Sequence, residues 1–306
     1  MSFPKTFERH IDRRGIIHVA DGPLWTADDL AHVGGKPLIY YPLSTMIQAG
    51  IEDVAIVAPA PLCRAFRRLM GDGSRFGLSL TCIDQRPGGD IAEAPNLAKG
   101  FLGGMPSLLM PAHGIVSAAR LADTLARAAP RRRGAAGRTA PGATGAPGLP
   151  VATNALGAVT RLGRGGDTDR GREAFTGVTL FDARAADFAG WLPTGRAAMT
   201  DLLGLYQRSG ALSAASIGDG GTWFGVTNSR EAEGATLFVA GLERRRRGLF
   251  GSPELAAFKA GRIGRRDLAD AVESWGDTPY GAALADALER RRRPRRSGRA
   301  LRVVAG

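Results

Sequence analysis

The chain has 306 residues, a formal net charge of +12, 44% hydrophobic residues and 23% charged residues. This length and balance indicate one large domain, or one domain with an appendage, that can bury a full hydrophobic core. No apolar run approaches the roughly 18 residues of a membrane span, and no basic start precedes such a run, so we expect a cytoplasmic protein without a membrane partner. Cys63 and Cys82 are too few for a disulfide framework and lack a CxxC spacing, so we interpret them as core thiols.

Much of the excess positive charge lies in three short arginine-rich runs. They occupy 131–133, 244–247 and 290–296, beside alanine- and glycine-rich sequence and without interleaved aromatic residues. Arginines neutralise nucleic-acid phosphates, but single-strand binding also uses aromatic side chains on which the bases stack. We therefore interpret the runs as solvated basic surface and do not expect a nucleic-acid partner.

Strand-like and helix-like segments alternate along the first half of the chain. Apolar runs typical of strands cover 15–20, 53–58, 78–83 and 107–111. Helical spacing covers 37–49, 61–70 and 117–128. This alternation predicts an α/β protein with a Rossmann-like, mixed and mostly parallel central sheet flanked by helices.

The middle of the chain is less regular. The segment 131–150 is rich in Gly, Ala, Pro, Arg and Thr and has no apolar period, which predicts a flexible, poorly ordered surface insertion. After it, strand signals return at 155–162, 176–181, 211–217 and 222–226, with a helix at 197–208.

From residue 229 onward the pattern is helical. Ser252 precedes Pro253 and Glu254, which is a typical helix start. The predicted helices after it are 253–260, 265–274 and 279–292. We therefore divide the chain into an α/β domain at 1–228 and a small C-terminal helical region with a basic tail at 229–306.

Several motifs identify a family. They are KPLIYYPLSTMIQAGI at 36–51, GDGSRFGL at 71–78, FTGVTLFD at 175–182, Thr-Asp at 200–201 and Tyr-Gly at 280–281. With these motifs the chain resembles the small bacterial glucose-1-phosphate thymidylyltransferases, which join dTTP to a sugar 1-phosphate. The resemblance spans nearly the whole chain and implies a nucleotidylyltransferase fold.

The family's phosphate loop is replaced. That loop, GGxGTRLxP, brings backbone N–H groups and an arginine to the triphosphate. Here DGPLWT at 21–26 occupies its place, and the distance to Lys36 is several residues shorter. Pro23 has no N–H and Asp21 would repel phosphate, so we interpret this segment as a shortened structural connection.

The family's two magnesium-binding aspartates are also replaced. Their positions correspond here to Ala112 and Gly225, and neither residue offers the oxygen ligands that magnesium needs. His113 is adjacent to the first position, but a lone imidazole is a poor magnesium ligand. We therefore predict no metal site and no magnesium cofactor, although the resemblance implies one for the family.

The sugar side of the site has changed as well. The family's EEKP corresponds to Arg161-Leu-Gly-Arg164, and its GELEITD corresponds to 195–201, which has no glutamate. Gln85 survives where the family reads the thymine edge, Gly88 lies in a turn beside it, and Gly177 survives where the backbone approaches the sugar. We predict no catalytic residue and a vestigial nucleotide- or substrate-binding set consisting of Gln85, Gly88, Gly177, Asp21 and His113.

This pattern favours a thymidylyltransferase-like pseudoenzyme. It would act by binding a nucleotide or sugar phosphate, or as an accessory or assembly subunit in sugar-nucleotide or natural-product biosynthesis. Family members assemble through surfaces that include the C-terminal helices, which implies a homo-oligomer or a complex with a sugar-nucleotide enzyme. The alternatives are an active enzyme that makes dTDP-glucose from dTTP and glucose 1-phosphate, and a repurposed cleft that uses Asp21, His18 or His113.

Overall fold

The structure is a computed structural model of the chain. It describes residues 13–26, 28–118, 125, 134–141, 144–145, 149–163, 173–217 and 221–290. Within these ranges the predicted α/β fold is confirmed, with a mixed, mostly parallel central sheet, flanking helices and a helical C-terminal region. No helix of the described ranges is both long and apolar enough to cross a membrane.

The described elements alternate as the sequence predicts. The strands are β1 (Arg14–His18), β2 (His32–Val33), β3 (Lys36–Pro37), β4 (Asp53–Pro59), β5 (Ser79–Gln85), β6 (Ser107–Pro111), β7 (Gly114–Ser117), β8 (Ala135–Pro141), β9 (Thr144–Gly145), β10 (Leu149–Thr153), β11 (Val159–Leu162), β12 (Glu173–Phe181), β13 (Leu212–Ser216) and β14 (Thr222–Gly225). The α-helices are α1 (Tyr40–Gln48), α2 (Ala60–Met70), α3 (Ala94–Leu97), α4 (Lys99–Leu102), α5 (Ala185–Gly190), α6 (Met199–Arg208), α7 (Ser229–Arg246), α8 (Pro253–Lys259), α9 (Arg265–Trp275) and α10 (Pro279–Arg290). Two short 3₁₀ helices cover Ser74–Phe76 and Ile91–Glu93.

The central sheet has the order β11-β10-β12-β6-β1-β4-β5, and β8 joins it beside β12 and β13. The strands β6, β1, β4 and β5 are parallel neighbours, whereas β12 is antiparallel to β6. Ile16 and Ile17 of β1 are both fully buried and belong to separate hydrophobic clusters, because successive side chains of a strand point to opposite faces. The parallel strands place their carboxyl ends, and the segments that follow them, at one edge of the sheet.

The prediction of a flexible insertion at 131–150 is wrong for its described part. Residues Ala135–Pro141 form β8, which pairs antiparallel with β12 and parallel with β13. This strand is rich in alanine and glycine, so it has no hydrophobic period for the sequence to reveal. Gly137 makes room for a neighbour, because a Cβ there would lie 1.6 Å from Cε1 of Phe175. Packing area therefore comes from the adjacent strand, and β8 contributes mainly backbone hydrogen bonds.

Two further predictions differ from the structure. Only Val159–Leu162 of the predicted strand 155–162 is extended, because the side chain of Asn154 accepts hydrogen bonds from the backbone of Leu156 and Ala158 and closes a turn. The strand β10 before this turn was not predicted. Of the predicted helix 117–128, Ser117 lies in β7 and Leu125 is helical, while 119–124 and 126–128 lie outside the described residues.

The C-terminal helices begin and end close to the predicted positions. Ser252 caps α8, since its Oγ accepts a hydrogen bond from the backbone N–H of Leu255 at 3.2 Å. Leu255 and Leu268 belong to the same hydrophobic cluster as Met46 of α1, so these helices pack onto the α/β core. The domain boundary at 228/229 stays a prediction, and the tail 291–306 lies outside the described residues.

A buried carboxylate connects the helical region to the sheet. Glu254 has no exposed surface, and its carboxylate accepts hydrogen bonds from the Tyr280 hydroxyl at 2.5 Å and from Trp275 Nε1 at 3.2 Å. Arg75 Nη2 lies 3.6 Å from the same carboxylate. Burial raises the pKa of Tyr280, as does the neighbouring Glu254, so its hydroxyl stays protonated and remains a donor.

A second buried charge lies beside this carboxylate. Lys36 is fully buried, and its Nζ donates a hydrogen bond to Glu243 of α7 at 2.8 Å. The ammonium also lies 5.4 Å from the ring centroid of Tyr41 and 5.6 Å from that of Tyr280. Desolvation lowers the pKa of Lys36, and the pairing with Glu243 opposes that shift.

Two tyrosine-to-phenylalanine substitutions test the importance of the buried carboxylate. Tyr280→Phe removes a hydrogen bond to buried Glu254, so we expect it to lower the free energy of unfolding by about 1–3 kcal/mol. Tyr40→Phe is the matched control, because the Tyr40 hydroxyl is buried and has no hydrogen-bond partner among the described residues. Tyr40→Phe should leave stability unchanged or raise it. Urea unfolding followed by circular dichroism measures both changes, and equal effects would contradict the assigned role of Glu254.

Candidate functional site

The candidate site lies at the edge of the sheet formed by the carboxyl ends of β1, β5 and β6, where open α/β sheets usually bind their ligands. Asp21 follows β1, Gln85 ends β5, and Gly88 lies in the turn after it. His113 follows β6, and Gly177 lies within β12, antiparallel to β6. The structure therefore brings all five predicted residues to this edge, in two groups.

The first group is centred on the Gln85 side chain. Gln85 is 4% exposed, and its Oε1 lies 2.8 Å from Nε2 of the buried His18. Because an amide oxygen only accepts, His18 must carry its proton on Nε2. The Gln85 amide nitrogen donates to the backbone oxygen of Asp90 at 3.1 Å. Both polar ends of the Gln85 amide are therefore bonded to the protein itself.

His18 is held in its neutral form. Burial lowers the pKa of His18 to about 4, and the hydrogen bond to Gln85 partly opposes this shift. The nearby His113 lowers the pKa of His18 further, whereas Asp21 and Glu93 raise it. At neutral pH this imidazole is thus an uncharged hydrogen-bond donor to Gln85.

Asp21 binds within the same group. Its carboxylate accepts a short hydrogen bond from the backbone N–H of Gly88, in the turn that follows Gln85. A backbone N–H in a glycine turn can also bind an anionic ligand. Here a side chain of the protein already occupies that N–H.

The connection that replaces the phosphate loop is packed onto helix α2. Trp25 is 8% exposed, and its ring lies edge-on to Phe66 with centroids 5.8 Å apart. The Trp25 N–H donates to the backbone oxygen of Gly22 at 3.1 Å, which closes a tight turn around Pro23. The backbone of this segment is folded into a turn held by a core tryptophan.

The two positions that correspond to the family's magnesium ligands lie close together. Gly225 of β14 pairs with Gly114 of β7, and the next N–H, from Val226, donates to the His113 oxygen at 3.0 Å. Ala112 is fully buried, and its N–H donates to the His18 oxygen at 2.8 Å. A methyl group and a hydrogen thus stand where oxygen ligands would be needed, so these residues do not fit magnesium. In the described part of the chain, no group of three His, Cys, Asp or Glu residues could hold a metal ion.

The second group lines a cavity of about 180 Å³ between β6, β12 and β14. Its described lining residues are Ile91, Pro111, His113, Leu149, Phe175, Thr176, Gly177, Thr179, Met199, Leu203 and Trp223. Burial lowers the pKa of His113, so the imidazole is neutral and no described lining side chain carries a charge at neutral pH. Gly177 has a φ of +81°, and a Cβ there would lie 2.9 Å from Cγ of Pro111. A larger residue would therefore disturb both the backbone and this contact.

The sequence did not reveal two features of this cavity. Trp223 Nε1 and Thr179 Oγ1 are buried and have no hydrogen-bond partner among the described residues. Each belongs to a strand-like segment, and the sequence gave no signal that both side chains face the same cavity.

An ion pair joins Glu93 to the turn after Gln85. Glu93 Oε1 accepts hydrogen bonds from Arg86 Nη2 and from the backbone N–H of Gly195, both at 2.8 Å. This contact ties the segment 195–201 to the turn after Gln85. Asp201, which matches a family motif, accepts a hydrogen bond from the Ala198 N–H at 2.8 Å at the start of α6. In this structure Asp201 therefore acts as a helix cap.

Comparisons with known proteins agree with this fold. The family model described as Nucleotidyl transferase matches residues 26–145. A Bacillus anthracis structure, described as a glucose-1-phosphate thymidylyltransferase in complex with a sucrose, has a TM-score of 0.65 at 19% identity and covers 74% of this chain and 94% of its own. The inositol-1-phosphate CTP transferase from T. maritima has a TM-score of 0.56 at 14% identity and covers 74% of this chain and 96% of its own. The fold is therefore that of a nucleotidyltransferase.

Curated relatives define the family more closely. The glucose-1-phosphate thymidylyltransferase of Actinoplanes sp. is 31% identical over 259 residues, which cover 83% of this chain and 85% of that protein. The glucose-1-phosphate thymidylyltransferase of Xanthomonas campestris pv. campestris is 30% identical over 268 residues, covering 85% and 90%. The chain belongs to the glucose-1-phosphate thymidylyltransferase family, and the resemblance read from its motifs is confirmed.

The buried His18 makes stability depend on pH. The imidazole titrates near 6.5 when unfolded and near 4 when folded, so the unfolded state binds more protons between these values. Stability from this group is present above pH 6.5 and is lost as the pH falls toward 4. We expect a loss of about 2 kcal/mol in the free energy of unfolding between pH 7.5 and pH 5 from His18 alone.

Urea unfolding at the two pH values measures this loss. His18→Gln should remove about 2 kcal/mol of the pH dependence, because a neutral amide does not titrate. His32→Gln is the matched control, since His32 is exposed, and it should keep the wild-type pH dependence. An unchanged slope in His18→Gln would show that His18 is not the titrating group.

Proposed function

We propose that this chain is a thymidylyltransferase-like protein without magnesium-dependent nucleotidyl transfer. We further propose that it acts by binding a ligand or as an accessory subunit of a sugar-nucleotide enzyme. The observation that supports the proposal is that the structure brings Ala112 and Gly225, which correspond by motif to the family's magnesium ligands, close together, and neither side chain provides an oxygen ligand.

The loss of both ligands has a large expected effect on rate. Transfer of a nucleotidyl group depends on positioning and on neutralising the charge of the phosphates, and a divalent ion supplies much of that neutralisation. If the ion contributes about 5 kcal/mol to the transition state, its loss lowers the rate by roughly 10³ to 10⁴. The missing phosphate loop lowers the rate further.

The contacts of Asp21 and Gln85 support the same proposal. A triphosphate that approached the Gly88 turn would meet the Asp21 carboxylate, which already accepts the Gly88 N–H. A base that reached Gln85 would have to displace His18 from the amide oxygen. Groups that could bind the nucleotide are thus bonded within the protein.

The motifs that match the family support a structural role for the residues within them. Lys36, Arg75 and Tyr280, one from each of three family motifs, have their side chains in or beside the buried Glu254 cluster. A chain that must keep its fold, but not the reaction, would keep these residues. Such a fold can serve several functions. It can bind a nucleotide or sugar phosphate, form a homo-oligomer, or assemble with an active sugar-nucleotide enzyme.

An activity assay tests the central claim. The full chain is incubated with dTTP, magnesium and glucose 1-phosphate, and pyrophosphate release is measured beside the Actinoplanes relative under the same conditions. We expect no release above the background rate. Turnover near 1 s⁻¹ or faster, as in ordinary enzymes, would contradict the proposal and favour an active enzyme that makes dTDP-glucose.

A second experiment tests whether Ala112 and Gly225 occupy the metal positions. The double variant Ala112→Asp, Gly225→Asp introduces two nearby carboxylates, so we expect a lower Tm without metal and a recovery of several degrees in 10 mM MgCl₂. The wild-type Tm should not respond to magnesium. Ala112→Asn, Gly225→Asn is the control without charge, and a double aspartate variant that ignores magnesium would contradict the assignment of these positions.

Ligand and partner binding need separate tests. A thermal-shift screen of nucleotides and sugar phosphates should reveal a ligand, since one present at 100 times its Kd stabilises the fold by about 2.7 kcal/mol. Pull-down with sugar-nucleotide enzymes tests the accessory role. Recovery of the chain alone, together with no thermal shift for any compound, would count against both modes of action.

A further inference from the structure

Arginines from three segments that are far apart in the sequence lie close together in the structure. Helix α7 ends in the run 244–247, and helix α10 ends at Arg290, the first residue of the run 290–296. Arg290 Nη1 donates a hydrogen bond to the backbone oxygen of Arg247 at 2.7 Å. Arg265, the first residue of α9, donates from Nη1 to the backbone oxygen of Leu288 at 3.2 Å. Three chain segments therefore bring arginines to the C-terminal end of α10.

We define the arginine surface as Arg244, Arg245, Arg247, Arg265, Arg266 and Arg290, which are all exposed. The exposed Arg246 is not included, because its guanidinium donates to Ser117 Oγ and lies over the Phe250 ring. Among the described residues, no carboxylate forms an ion pair with Arg244, Arg245 or Arg247. Arg290 forms an ion pair with Asp286, so it adds little net charge to the surface. Its main contribution is the hydrogen bond that holds the end of α10 beside Arg247. Glu289 is exposed at the same end, and the surface keeps a clear excess of positive charge.

Helix stability does not account for all of these arginines. Arg265 and Arg266 lie in the first turn of α9, where positive charge opposes the helix dipole. Asp267 compensates in part by accepting the N–H of Gly264 at 2.6 Å. Arg247 ends α7 with a φ of +50°, a conformation that favours glycine. Arginines thus stand at three positions where another residue would stabilise the local backbone better.

We propose that the arginine surface binds the phosphate backbone of a nucleic-acid duplex. Arginine pairs with phosphate in a planar, two-point geometry, and several exposed arginines at one end of the molecule can release several counterions from a duplex. Among the described residues, the one exposed large aromatic side chain is Trp191, which follows α5 and packs against Phe188. The arginine surface therefore has no exposed ring for base stacking, which disfavours single strands.

This proposal revises the expectation drawn from the sequence. That expectation rested on the separation of the arginine runs and on the lack of aromatic residues between them. The tertiary structure brings Arg247 and Arg290, one residue from each of two runs, into contact, while the lack of exposed aromatic side chains in this surface still points to a duplex. The proposal is independent of the proposed function of the cleft.

Fluorescence anisotropy of a labelled 20-base-pair duplex tests the proposal with the full chain. DNA and RNA duplexes of one sequence are titrated between 50 and 300 mM KCl, which also identifies the preferred nucleic acid. The test variant is Arg244→Gln, Arg245→Gln, Arg247→Gln. The matched control is Arg64→Gln, Arg208→Gln, Arg230→Gln, which removes the same charge from exposed arginines elsewhere.

We expect duplex binding by the wild type and an affinity at least tenfold lower in the test variant near 100 mM KCl. The slope of log K against log salt should become shallower by about 2 to 3, close to one unit for each lost phosphate contact. The control should lose less than threefold. Equal losses in both variants, no binding at 50 mM KCl, or displacement of the duplex by polyglutamate at equal charge would each overturn the proposal, and thermal melting checks that both variants fold.

Discussion

The fold depends on a carboxylate that is buried where the C-terminal helices meet the α/β core. Glu254 cannot remain charged inside the protein without partners, and Tyr280, Trp275 and Arg75 provide them. These partners come from helices α9 and α10 and from the 3₁₀ helix after α2, so one buried charge fixes how distant segments pack. Removing one partner leaves the other two to compensate the charge, and the cost includes the poorer solvation of the buried carboxylate as well as the lost hydrogen bond.

This constraint explains why the family motifs can persist whatever the chemistry of the cleft. Arg75 and Tyr280 belong to motifs that identify the family, and both contact Glu254. At the cleft, by contrast, two polar side chains that could meet a ligand are bonded within the chain. Gln85 is bonded to His18, and Asp21 is bonded to the turn at Gly88. Substitutions at the cleft leave the buried charge undisturbed, so the two sets of residues can change independently.

Most of the fold could be predicted from the sequence, because its strands and helices have clear apolar periods and its motifs belong to a known family. The strand β8 could not be predicted, since its alanines and its one glycine have no apolar period and its pairing depends on Phe175 of a distant strand. The correspondence of Ala112 and Gly225 to the family's magnesium ligands stays a prediction from the motifs. The sequence did not show that Trp223 and Thr179 face one cavity, because strand register decides to which side of the sheet a side chain points.

The sequence by itself determined the family, the α/β class and the identity of the residues at each position of the cleft. Only the tertiary structure decided what those residues contact. His18 and Gln85 are 67 positions apart, and Arg247 and Arg290 are 43 apart, yet each pair is joined by a hydrogen bond. The physical reason is that burial and hydrogen bonding act over a few ångströms in space, and chain topology sets which distant residues come within that range.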